Sequence, residues 1–197
     1  LPPNVAHHGI AQDNGEPCLT ASVGFRAPSL KTITSDYINY LNENVHDERR
    51  YRDAVAKQPE HHAEITDQTV AHFIDYLKQG LSIEHDQVKT WLGQYCSDNK
   101  TYEELLEEQD VVNYDELSDI VRQDPLQRSP YSNFLFSYNQ HGALLFVNGG
   151  SYQVSTAFAE SICESDAIEL QQLNEIITED DKTILLALYN SGALINE

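Results

Sequence analysis

The chain has 197 residues, enough for one or two compact domains with a real core. Its hydrophobic fraction of 40% is that of a soluble globular protein and argues against general disorder. Twelve Lys and Arg stand against 32 Asp and Glu, a formal net charge of -20 that repels nucleic acid phosphate and anionic membrane and attracts basic partners.

No signal peptide is visible, and no apolar stretch approaches the ~20 residues a spanning helix needs, so no membrane partner is expected. Met is absent throughout, the first position included, which reads as a processed product or a fragment of a longer chain. The three cysteines, Cys18, Cys96 and Cys163, are far apart and odd in number. They make neither a C-x-x-C pair nor a disulfide framework, which favours a reducing cytoplasm. The Asn99-Lys100-Thr101 sequon then has no role.

In chain order, residues 1–28 read as strand and turn. "LTASVGF" (residues 19–25) has a strand-like mix of small and apolar residues between the loop signals Asn14-Gly15 and Pro28. A helix should follow, because Leu30, Ile33, Tyr37 and Leu41 recur at spacings of three and four with Ser29 as cap. Residues 46–64 are polar, charged and irregular, a linker pattern. Two amphipathic helices come next, with stripes Val70, Phe73, Ile74, Leu77 and Val88, Trp91, Leu92, Tyr95, separated by Gly80. Stripes at this spacing predict packing between helices or between subunits. Residues 101–119 hold eight acids and no base, with Leu105, Leu106, Val111, Val112 and Leu117 as anchors, the pattern of a solvated helix. "RQDPLQRSP" then marks a second boundary at Pro125 and Pro130.

After it the period changes to two. "NFLFSY", "ALLFVN" and "SYQVS" predict a three-stranded meander, turning at "NQHG" and at Gly149-Gly150. Ser155 should cap a helix through Phe158 and Ile162, and "IELQQLNEII" reads as another. Thr178 with Asp181 resembles a capping box opening "DKTILLALYN", which Asn190-Ser191-Gly192 should end. Strands and short helices in this arrangement predict a small winged-helix-like module over 123–197. Residues 156–197 carry one base, Lys182, against nine acids, whereas a DNA-reading helix needs Arg or Lys on phosphates. The module is therefore expected to be a protein-contact or packing module, with no direct nucleic acid binding.

Common catalytic signatures are absent: no G-x-S-x-G elbow, P-loop, G-x-G-x-x-G or H-E-x-x-H occurs. His46, His61 and His62 fall in the polar linker, His72 and His85 in helical segments without a second ligand at i+4, and His141 in a hairpin turn; surface or capping roles are expected for all of them. His7 and His8 differ. Adjacent side chains on an extended segment point to opposite faces, so at most one of them is a ligand. No catalytic acid or base is assigned.

"LPPNVAHHGIAQ" followed by "SVGFRAP" resembles the last part of the catalytic core of JmjC-type cupin oxygenases, specifically bacterial ribosomal oxygenases that hydroxylate arginine on a large-subunit ribosomal protein. Such proteins show a P-P-x-x-x-H-x-G run entering a late core strand, then S-V-G-F-R-A-P leading into a helix. The resemblance implies an α+β chain in three parts. Residues 1–28 would be the C-terminal edge of a double-stranded β-helix (cupin/JmjC barrel), residues 29–122 a helical dimerisation region, and residues 123–197 the winged-helix-like domain. It further implies an iron(II) site of the two-histidine, one-carboxylate kind, with 2-oxoglutarate as cosubstrate. His7 matches the third metal ligand by the P-P-x-x-x-H run, and His8 falls at a non-ligand position. The family's H-x-D motif, which carries the other two ligands, occurs nowhere in this chain. Thr20 falls where close relatives place Asn on the strand lining the cosubstrate pocket. Ser22, Phe25 and Arg26 match the second run and are expected to shape the barrel's exit.

The resemblance thus implies a C-terminal fragment of a cytoplasmic, homodimeric dioxygenase acting on a basic ribosomal protein, inactive by itself. A rival expectation is a non-catalytic dimeric interaction protein carrying an acidic winged-helix-like domain.

Overall fold

The computed structural model describes residues 27–44, 50, 51, 61, 63–81, 83–98, 111–122, 124–165, 167–169 and 173–196. The chain divides into two units, Leu1–Asp36 and Tyr37–Glu197. The expected strands of residues 1–28, most of the linker at 46–64, and residues 101–110 of the acidic stretch lie outside the described residues. In the first unit, helix α1 (Leu30–Asn44, running on into the second) starts as the sequence predicts. The Ser29 hydroxyl accepts from the Thr32 amide at 3.1 Å.

In the second unit come α2 (Asp67–Gly80), α3 (His85–Ser97), α4 (Tyr114–Val121), β1 (Gln127–Arg128), β2 (Phe134–Asn139), β3 (Gly142–Val147), β4 (Gly150–Val154), α5 (Thr156–Glu164), α6 (Glu179–Asn190) and β5 (Leu194–Ile195). The two amphipathic stripes are helices, as expected. The helix expected within 101–119 is described from Tyr114, where Asn113 and Glu116 form a full capping box.

The meander is present as the antiparallel order β2-β3-β4. Its second turn is placed one residue earlier than the sequence reading put it. Val147 pairs with Gly150, so the two-residue loop is Asn148-Gly149, and not Gly149-Gly150. Both loop residues have positive φ, 48° and 82°, as the tight turn matched to strand twist demands. Asn tolerates that region, which left Gly150 free to begin β4.

Strand alternation sends β3 into two layers. Ala143, Leu145 and Val147 join the core with Leu117, Phe158, Ile162, Leu185 and Leu188 from α4, α5 and α6. Phe146 points the other way, beneath α3, where a Cβ on Gly93 would collide with its ring. The glycine inside "WLGQY" is therefore a contact site: only a residue without a side chain lets α3 lie this close to the sheet. Ser97, fully buried at the end of α3, donates to the Gln94 carbonyl and accepts from the Gly149 amide at 3.1 Å. This fastens the helix to the β3–β4 turn.

The second layer closes through short strands. β1 pairs with β5 in Gln127↔Ile195 and Arg128↔Leu194 register. Arg128 donates to the Ile162 and Ser165 carbonyls at 2.8 and 2.9 Å, satisfying the C-terminal end of α5. Ser155 and Thr178 cap α5 and α6 as predicted. Gly192, at φ 72°, ends α6 with paired bonds from Gly192 to Tyr189 and from Ala193 to Leu188, a Schellman closure. The "IELQQLNEII" segment opens differently from expectation. Ile168 is extended and bridges Leu126; residues 170–172 lie outside the described residues, and Leu173 and Asn174 are helical, the Leu173 amide donating to the Glu169 carbonyl. Burying Ile168 against the sheet side of the core outweighs its place in a helical pattern.

Candidate functional site

The two site residues assigned from the sequence, His7 as metal ligand and Thr20 at the cosubstrate pocket, lie outside the described residues. Among the described residues, no three His, Cys, Asp or Glu side chains come together in a way that could hold a metal ion. The described residues therefore do not supply an iron site. Of the remaining histidines, His85 is exposed and faces Asp86 at 3.2 Å, while His141 sits at the β2–β3 hairpin tip.

What the described part does offer is a protein surface, and its features follow from the elements above. The first is an open cleft of 640 Å³ between the start of α3 and the β2–β3 turn, lined by Asp86, Lys89, Tyr138, His141, Leu144 and Gln153 among others. Its polar groups are largely engaged with one another. Lys89 Nζ donates to the Tyr138 carbonyl at 3.2 Å, and the Tyr138 hydroxyl donates to Glu160 at 2.8 Å. The hydrogen bond to that carboxylate, and after it burial, raise the tyrosine above its ordinary pKa. Asn139 donates to Gln153, whose own amide reaches the carbonyls of His141, Ala143 and Val154. Reaching from α3, the Lys89 ammonium thus occupies a backbone carbonyl of β2, an edge strand of the sheet.

The second feature is a buried carboxylate that the sequence reading found only in part. Asp181 is 1% exposed. As expected, it closes the α6 capping box with Thr178: Oδ2 accepts from the Thr178 amide at 2.9 Å and from its hydroxyl at 2.8 Å. Its other oxygen accepts from the Ser155 amide at 2.9 Å, at the cap of α5. One side chain thus joins two helix N-termini, where partial positive charge favours an anion. Burial alone would raise its pKa, but the bonds from Thr178 and Ser155 outweigh that and hold it below the ordinary aspartate value. No local pattern signals the Ser155 contact, because the partners are 26 residues apart.

The third feature is charge. Lys182, the one base of residues 156–197, is bound to Glu179 at 2.6 Å and lies 5.4 Å over the Tyr114 ring. Cys163 and Cys96 are both free thiols. Burial pushes Cys163 up to about 11, so it stays protonated and chemically quiet near neutral pH. The fourth is an apolar face. In α2 no residue is fully buried among those described, and Val70, Phe73, Ile74 and Leu77 are 44–49% exposed. On α3, by contrast, Trp91 is buried and packs edge-on to Tyr37 and near Tyr95, while Leu92 of the same stripe stays half exposed.

Ribosomal protein uL16 3-hydroxylase of Escherichia coli (strain K12) is 23% identical over 123 residues, which is 62% of this chain and 32% of that protein. Crystal structures of Escherichia coli YcfD, described as a ribosomal oxygenase, superpose with TM-scores of 0.67 and 0.68 at 20% identity. They cover 89% of this chain and 46–48% of theirs, so the likeness is one of fold. Another YcfD structure holds cobalt and 2-oxoglutarate. The chain spans about a third of the length of the curated relative and about half of the solved chains. The resemblance to bacterial ribosomal oxygenases is thus shown by sequence and by structure. A family model for the ROXA-like winged helix matches residues 71–195, from α2 through β5, and on that match the chain belongs to the ROXA-like winged helix family.

Proposed function

We propose that this chain serves as the C-terminal part of an Fe(II)- and 2-oxoglutarate-dependent hydroxylase that modifies a side chain, by resemblance an arginine, of a ribosomal protein. The observation that supports it most is the winged-helix match over 71–195 together with homology to a ribosomal protein hydroxylase. In this reading residues 1–28 complete the barrel edge, with His7 the third iron ligand and Thr20 beside 2-oxoglutarate. The bound iron and cosubstrate would supply the oxidation of an unactivated carbon. The described residues would do something else: form a rigid acidic support that attracts a basic protein substrate and rejects nucleic acid. A net charge of -20 and a single, already paired base after residue 155 support that division of labour. Self-association belongs to the same proposal, since the α2 face exposes Val70, Phe73, Ile74 and Leu77. The cytoplasm, where ribosomes are made, is the proposed location.

The test compares the 197-residue chain with the same chain joined to a barrel segment carrying H-x-D. Each is supplied with Fe(II), 2-oxoglutarate and a basic large-subunit ribosomal protein. The joined protein should release succinate in step with oxygen added to the substrate, and the 197-residue chain should release none. Turnover by the chain alone would contradict its role as a support. A joined protein that binds 2-oxoglutarate yet leaves every ribosomal protein unmodified would favour the non-catalytic interaction module.

A further inference from the structure

We draw no further inference here: the strongest candidate, the half-exposed apolar face of α2 formed by Val70, Phe73, Ile74 and Leu77, has nothing in the structure to show what covers it beyond the self-association already proposed.

Discussion

Asp181 is the residue whose removal should cost the domain most for the fewest atoms lost. In Asp181→Ala the Ser155 amide loses its acceptor, and the Thr178 amide and hydroxyl lose theirs. A buried donor left unpaired costs about 1–3 kcal/mol, and bonds to a charged group lie toward the upper end. Two backbone donors therefore give about 4 kcal/mol, a large share of the ~5–15 kcal/mol that holds a typical domain. Asp181→Asn keeps the shape and one acceptor oxygen but turns an amino group toward a donor, so about half of that loss is expected. With a urea slope of about 2 kcal/mol/M, the midpoint should fall by ~2 M in the alanine variant and by ~1 M in the asparagine variant, at unchanged slope.

The pH dependence has a defined sign. Because the folded pKa is depressed, the stabilisation is fully present above the unfolded value of about 3.9 and is lost as pH falls through the folded value. The difference between wild type and Asp181→Asn should therefore be constant from about pH 5 to 7 and shrink below about pH 3.9. Urea unfolding followed by circular dichroism reads both effects. A midpoint within ~0.2 M of wild type, or a difference that persists undiminished at about pH 2, would refute the reasoning.

Two further outcomes follow from packing. Gly93→Ala, which improves helix propensity by ~1 kcal/mol in an open helix, should instead destabilise by about 1–3 kcal/mol, because the new methyl meets the buried Phe146 ring. Gly80→Ala, with nothing within 4 Å, should be neutral or stabilising. Thermal melts of the pair, with Phe146→Leu added to relieve Gly93→Ala, check the contrast, and two changes of the same sign would overturn it. For the α2 face, Phe73→Glu with Leu77→Glu should convert a dimer to a monomer in sedimentation at micromolar concentration without altering the helical spectrum. A wild-type chain that already sediments as a monomer would remove the self-association proposal.

Much of the fold was legible because its signals are local. Ser29, Ser155 and the Thr178–Asp181 pair announce helix starts within four residues, and the strands of "NFLFSY" and "ALLFVN" show their period directly. The errors arose where distant partners decide. Ile168 sits in a helical pattern but bridges Leu126, some forty positions earlier. The β3–β4 loop shifted by one because Asn148 takes a positive φ that a reading built on glycine assigned to Gly150. Asp181's second bond and Gly93's contact with Phe146 join segments 26 and 53 residues apart, beyond any motif. The site residues His7 and Thr20 came from resemblance alone, since neither composition nor spacing separates His7 from its neighbour His8.

The central claim is that this chain belongs to machinery that hydroxylates a ribosomal protein. Intact-mass spectrometry of ribosomal proteins from source cells, with and without the gene that encodes the chain, tests it most directly. The account predicts that a large-subunit ribosomal protein loses the mass of a single oxygen atom when the gene is removed, and that the loss maps to an arginine side chain. Ribosomal protein masses identical in the two strains would contradict it.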